Sequence, residues 1–521
     1  MKRVIAIALL TAVTMQQSLW ACSSIVAGKK TTVNGAVLFG HNEDDYGQRV
    51  VNAWHVPRMQ HAPGSLLTLK RGGQLAQVPE TWAYTWFQTN GMEFSDYYAN
   101  EWHVHIGSDA CRSREDNPEL SEGGIGYMLR RLVAERATTA REGVEIAGGL
   151  LDRFGYASSG RTYIIADPNE AWMLSVVEGK HWVAQRVADD EVVFLPNQYV
   201  IRQVDFSDKK RFLSSADHIR DYAIQRGWYN PQSGKPFDFA AAYTAVHRKG
   251  SKFLKRGYDT RQWAAQRLIT GEAVTIQHAR EHGLPFGVKP NRKLAVTDIQ
   301  AVLRHHFEGT VYGPAYEVSA MLPPTKRAGE QRGTAVPSKI MTNPNQTTER
   351  SISHLTTVLS TVAELRSNVP EVLKSLLWTA SGRPDCNVFI PWYTATGFIP
   401  PGYENTPGID DPAEALARHF DPVPGTLDYD AESAWWVFNE LENLVDRHFV
   451  RMIAQVTPVW QAHETRLFAM QDAVETTALN LTREDEALAK DYLAAYTAGW
   501  AAQAVYDGRM LNRKLKSQFY H

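Results

Sequence analysis

Cysteine is nearly absent from this chain: there are 3 in 521 residues, Cys22, Cys111 and Cys386. In an exported protein an odd count leaves at least one thiol unpaired or shared with another chain. A charge surplus is lacking too. Lys and Arg number 55 against 57 Asp and Glu, a net charge of -2, so no basic footprint for nucleic acid exists. No internal repeat is present. Beyond the N-terminal segment, no charge-free apolar run approaches the roughly 20 residues of a membrane span. What remains is a chain that is 44% hydrophobic and 21% charged, ample for a large core, with a length that alone suggests about three domains. Its 15 Trp and 21 Tyr suit a well-filled core, or an aromatic-lined cleft.

What is there begins at the N-terminus. Lys2 and Arg3 precede an apolar stretch over residues 4–14, and a more polar exit ends at Ala21. This is the layout of a secretion signal, so residues 1–21 read as a signal peptide. The apolar run is too short to span a bilayer, although an anchor helix that stays attached is the plain alternative. A cut between Ala21 and Cys22 makes cysteine the first mature residue, carrying both a thiol and a free α-amino group. The thiol's reference pKa is near 8.5 and the amine's near 7.7–8.0. The amine can therefore move the thiol proton to a leaving group while sulfur attacks an amide carbonyl, and water resolves the acyl-thioester. A rival reading shares this cut: Leu19-Trp20-Ala21-Cys22 resembles a bacterial lipoprotein box. The two fates exclude each other, because lipidation caps the sulfur and acylation removes the base.

Organisation follows from periodicity. Residues 24–28 and 36–40 read as strands joined at Asn34-Gly35, a hairpin turn signal, and the return strand leads into His41-Asn42-Glu43-Asp44-Asp45. A paired strand would bring that acidic end to the nucleophile. Residues 121–155 read as helical, with Thr139 and Glu142 as a capping box. Residues 162–166, 171–177, 181–187 and 192–195 read as four short strands of an antiparallel meander. Helices beside such a sheet point to a layered α+β architecture. Residues 322–350 and 399–427 read as exposed loops, and the chain is helical after Asp430.

Cys22, Ser23, Ser24, Val26, Gly28, Lys29 and Lys30, then Gly35, then Asn42, Glu43 and Asp44 resemble the N-terminal pattern of the secernin-like dipeptidases. These are a branch of the N-terminal nucleophile (Ntn) cysteine hydrolases related to choloylglycine hydrolases and penicillin V acylases. Asn100-Glu101-Trp102-His103-Val104, Thr139-Ala140-Arg141-Glu142, Pro196-Asn197-Gln198, Leu376-Leu377-Trp378 and Ile390-Pro391-Trp392-Tyr393 continue the similarity in order to about residue 400. One departure stands out: His41 occupies the family's usual arginine position, and can favour a thiolate only when protonated.

The resemblance implies a four-layer αββα Ntn-hydrolase sandwich over residues 22–430, with a helical C-terminal extension over 431–521. It implies that Cys22 is nucleophile and base, that Asp44 binds the terminal amine or orients the thiol, and that Asn197 donates to the oxyanion. His41 is a further catalytic candidate, and Asn42, Glu43 and Glu101 are substrate-binding candidates. A dipeptide's amine needs a carboxylate, for which Asp45, Glu43 and Glu101 stand open. No cofactor is implied. His103 and His105 could chelate from one strand face, but no further ligand is evident, so no metal is expected. The expected activity is hydrolysis of dipeptides or short peptides with free N-termini, in the periplasm or outside the cell. An N-acyl amidase on the same nucleophile and a membrane-anchored lipoprotein are the alternatives. The expected partner is a small peptide, with no nucleic acid and no integral span after processing, and homo-oligomerisation stays open.

Overall fold

The computed structural model describes residues 22–518, apart from 47–48, 216–217, 246–257, 311, 314–342, 347–348 and 405–407. The expected signal peptide lies outside the described residues.

The chain opens with a hairpin of β1 (Ser23–Ala27) and β2 (Val37–Asp44), paired antiparallel from Ser23 opposite Asn42 to Ala27 opposite Leu38. Gly35 in its turn has φ 77°, a left-handed value that glycine adopts without a Cβ penalty. Strands β3 (Val51–Val56), β4 (Tyr84–Thr89), β5 (Tyr97–Asn100) and β6 (His105–Ala110) follow. Helices α1 (Met128–Arg136) and α2 (Ala140–Phe154) come next. Thr139 caps α2 by accepting from the Glu142 amide. The Glu142 carboxylate accepts from the Thr138 amide, one residue before the partner expected of a capping box. Then come β7 (Arg161–Ala166), β8 (Ala171–Val176), β9 (Trp182–Arg186), β10 (Val192–Leu195) and β11 (Phe212–Ser214). After α3 (Tyr258–Thr270) and α4 (Val296–Leu303) the sheet strands end with β12 (Thr357–Leu365), β13 (Ser375–Ser381) and β14 (Ile390–Tyr393). The last helices are α5 (Ala434–Arg447), α6 (Phe449–Glu484) and α7 (Glu486–Ser517).

The strands build a six-stranded sheet, ordered β10-β1-β2-β12-β13-β14, and an eight-stranded sheet, ordered β11-β9-β8-β7-β6-β5-β4-β3. Alternation along each strand divides the core into layers. Val26 and Phe39 join Tyr97, Ile164 and Met173 between the sheets. Ile25, Leu38 and Phe194 face away from that space, into a cluster with Ile299, Leu467 and Leu493 of the helices. On the far side, Ile165, Trp172 and Leu174 pack with Val133 and Val144 of α1 and α2. The result is the four-layer αββα sandwich. Each sheet is covered on both faces, which is why most strand residues are buried, with partial exposure at positions such as His55, Arg186 and Leu213.

Three expectations need correction. The four-strand meander is a three-strand one: β7, β8 and β9 pair in turn, but β10 crosses to the other sheet and pairs with β1. Strand periodicity carries no record of this, because Val193 and Leu195 face the inter-sheet core while Val192 and Phe194 face the helices. The exposed-loop reading of 322–350 falls largely outside the described residues, and where described it fails, since Asn343 and Asn345 are buried. The second loop holds a short helix, Pro412–Arg418. The C-terminal helices share the molecule's cores: Trp435, Phe438 and Trp460 lie in one cluster with Val26 and Phe39.

Candidate active site

Strand register assembles the site. Ser23 lies opposite Asn42, so one step back Cys22 comes level with Glu43. On its other side Ser24 lies opposite Leu195, so two steps further Asn197 comes level with Cys22. Cys22 shares the inward face of β1 with Ser24, and His41 and Glu43 share the inward face of β2 with Phe39. All lie between the sheets and are buried.

The Cys22 thiol donates to Glu43 Oε1 at 3.0 Å. Burial pushes its pKa well above the ordinary value, and the charges of Glu43, Asp109 and Asp44 push the same way, against Arg161. These effects favour the neutral thiol at Cys22.

His41 is clamped between acceptors. Its Nε2 lies 3.0 Å from Glu43 Oε2, and its Nδ1 lies 2.8 Å from Ser24 Oγ. Ser24 Oγ spends its own proton on Asp109 Oδ1, at 2.9 Å, so Nδ1 must donate to it. An imidazolium satisfies both contacts, since each ring nitrogen then donates. Burial opposes that charge, but the hydrogen bond and charge of Glu43, with Asp109, outweigh it and raise the His41 pKa. A cation stands where the resemblance has arginine, one carboxylate away from the thiol. Burial raises the Asp109 pKa to about 7, against the pull of His41 and Ser24.

Asn197 sits just beyond β10 with φ 62°, a conformation costly for a residue with a side chain. Its Oδ1 accepts from Arg261 at 2.9 Å. Its buried side-chain amide nitrogen has no hydrogen-bond partner among the described residues, although buried donors are nearly always satisfied. Arg261, on α3, also donates to the Cys22 carbonyl and to Ser23 Oγ, each at 2.8 Å, and to the Pro196 carbonyl at 2.9 Å.

The other candidates fall elsewhere. Asp44 is buried, with its carboxylate held by Arg350 at 2.7 Å and Thr357 at 2.5 Å. Burial raises its pKa in spite of Arg350. It meets the thiol only through its main-chain oxygen, 3.9 Å away. Asn42 is turned to the helix side, donating to the carbonyls of Leu303 and Ile352 and accepting from Ser360. Glu101 is not brought to the cluster at all. It lies in the turn before β6, at the opposite end from Asp109, and is held by Arg58 and the Ala83 amide. His103 and His105 do not form a chelating pair. His103 Nε2 bonds Glu371, while His105 lies between Tyr97 and Ser375. Cys111 and Cys386 are buried free thiols rather than a disulfide. Sequence reading missed Arg261, Asp109 and Arg130, the last 3.8 Å from Glu43. Only Asp109 had a signal, since it lies five residues beyond the matched segment Asn100-Glu101-Trp102-His103-Val104.

A buried cysteine and an amide donor with no partner among the described residues, on adjacent strand ends, have the chemistry that acyl transfer calls for. Residues 104–462 match the family described as Peptidase family C69. The chain belongs to peptidase family C69. It is 26% identical over 511 residues to a "Probable dipeptidase" of Latilactobacillus sakei, covering 95% of this chain and 96% of that one. It is 27% identical over 402 residues to "Probable dipeptidase A" of Streptococcus pyogenes serotype M3 (strain SSI-1), covering 74% and 78%. Two solved structures are similar at greater distance. Penicillin V acylase from Agrobacterium tumefaciens aligns at 12% identity and TM-score 0.30 over 69% of this chain and 83% of its own. A mutant conjugated bile acid hydrolase from Clostridium perfringens aligns at 10% and TM-score 0.33 over 72% and 92%. This C69 chain is thus a hydrolase of the peptidase class. No helix among its described residues is long and apolar enough to cross a membrane.

Proposed function

We propose that this C69 chain is an exported cysteine dipeptidase whose nucleophile, Cys22, is made N-terminal by removal of residues 1–21. The observation that carries the reading is the pairing of Cys22 with Asn197, whose side-chain carbonyl is pinned by Arg261 and whose N–H group has no partner among the described residues. Such a donor, fixed before the reaction, suits the oxyanion of a tetrahedral intermediate. The freed α-amine of Cys22 takes the thiol proton as sulfur attacks the peptide carbonyl, then passes it to the leaving amine. The acyl-thioester is released by water, with the same amine as base.

A dipeptide brings two charged ends. Glu43 is committed to Cys22 and His41, and Glu101 lies away from the cluster. That leaves Asp45, buried at the end of β2 and hydrogen-bonded by Ser95 and the Tyr46 amide, for the substrate ammonium. Arg49 is half-buried and, among the described residues, has no hydrogen-bond or ion-pair partner. Burial lowers its pKa, while Glu442, Asp45 and Asp44 favour its charge. A guanidinium in that state suits the substrate carboxylate.

Intact mass and N-terminal sequencing of the exported protein test the first step, with a free Cys22 expected. A lipid adduct, or residues remaining ahead of Cys22, would overturn it. Cys22→Ala should abolish hydrolysis in a folded protein, and Cys22→Ser should keep at most weak activity. A panel of free dipeptides against N-acylated amides tests the substrate class, with the dipeptides expected to be cleaved.

A further inference from the structure

We propose that Cys22, His41 and Glu43 form a binding site for a thiophilic divalent ion, with zinc as the type case, and that such an ion holds the thiol out of reaction. The inference is read from side-chain positions and does not need the dipeptidase reading.

One sulfur, one imidazole nitrogen and one carboxylate oxygen of these residues lie within 4.8 Å of one another. Zinc sits about 2.3 Å from sulfur and about 2.0 Å from nitrogen or oxygen, so donors roughly 4 Å apart share one ion after a small side-chain rotation. Three protein ligands with a fourth position left to water are the make-up of an open zinc site. Once Cys22 is the first residue, its own amine can fill that position and close a five-membered chelate with the sulfur. The donor set is selective: thiolate and imidazole favour zinc, whereas magnesium and calcium want oxygen throughout.

The surroundings fit a metal-ligating histidine. Such a ring usually gives its other N–H to a hydrogen-bonded carboxylate chain, which fixes its tautomer. Here His41 Nδ1 reaches Ser24 Oγ at 2.8 Å, Ser24 reaches Asp109 at 2.9 Å, and Asp109 Oδ1 lies 3.5 Å from Nδ1 itself. His41 Nε2 is left facing Glu43 and the sulfur. Thiolate and Glu43 carry two negative charges, and Asp109, with its pKa raised to about 7, adds part of a third, against the nearby Arg130 and Arg161. Binding is a proton exchange: the ion replaces the Cys22 thiol proton and the His41 Nε2 proton, and both leave to buffer. No bond is oxidised or reduced. His41 is what makes the set, because an arginine there would offer a cation and no lone pair.

The test uses the purified, metal-stripped protein, with Co²⁺ as spectroscopic probe and Zn²⁺ followed by calorimetry in buffers of different ionisation enthalpy. The expected result is one ion per chain, proton release, and a thiolate-to-cobalt absorption band that Cys22→Ser removes. His41→Arg, shown folded by circular dichroism, should weaken zinc binding by roughly 100-fold or more. Glu43→Gln serves the same comparison if the arginine variant does not fold. Absence of the cobalt band in the unaltered protein would overturn the proposal. So would unchanged zinc affinity in the folded variant, since the metal would then rest on the thiol alone.

Discussion

Cys22 is the residue on which sequence and structure converge from different directions. The sequence marks it through the proposed cut site and the run that follows. The fold places it between Glu43 and Asn197 by strand register. The roles of its neighbours depend on which of their atoms are already engaged. Asn197→Ala removes a donor that no other group satisfies, so kcat should fall by roughly 10²–10³ with little change in KM. An unchanged kcat would remove Asn197 from the oxyanion role. Arg49→Ala should raise KM for free dipeptides by roughly 10- to 100-fold, while leaving KM for the corresponding dipeptide amides nearly unchanged. Equal effects on acids and amides would show that Arg49 does not meet the substrate carboxylate. Arg261 was invisible beforehand, because it sits on a helix far along the chain with no motif around it.

At the scale of elements, local signals gave type and order, and failed where partner choice is non-local. Gly35 marks the connection between β1 and β2 because its φ of 77° is one few residue types accept, although that connection runs over residues 28–36 and includes a 3-10 turn at Lys29–Thr31 rather than a two-residue turn. β10 carries no comparable mark of its partner, yet its crossing to β1 is what delivers Asn197. Helix α2 depends on a local device, the Thr139 cap. Thr139→Ala should cost about 1 kcal/mol of unfolding free energy and leave kcat/KM unaltered, as denaturant melts and steady-state rates would show. Close packing of α4 on β2 depends on Gly40, where an added Cβ would meet Ile299 Cγ2 at 2.5 Å and Ile25 Cγ2 at 2.8 Å. Gly40→Val should therefore destabilise by about 1–3 kcal/mol through overpacking, read as a lowered denaturation midpoint.

Across the whole molecule, the C-terminal helices are tied to the catalytic layers by buried charge. Arg383 bonds Asp385 and Asp446, and Arg304 pairs with Glu464. His306 reaches Asp385 and Glu308 from the end of α4. Burial opposes its charge, but these carboxylates raise its pKa to about 9, above the roughly 6.5 of an unfolded histidine. The protonated ring is favoured in the native state. Its contribution to stability is therefore complete below about pH 6.5 and lost as pH rises through about 9. Unfolding free energy should decline across that window, and His306→Gln should flatten the decline; an equal slope in the variant would assign it to other groups. By itself the sequence determined the nucleophile candidate, the hairpin that carries it and the helical ending, because each is set by local chemistry: a cleavage pattern, a turn residue, a 3.6-residue period. Only the tertiary structure decided which strand lies beside Cys22, that Glu43 and Asp109 favour the charged form of His41, and that Glu101 stands apart. Those outcomes depend on pairing and burial between distant segments, which a periodic pattern cannot record when both faces of a strand are covered.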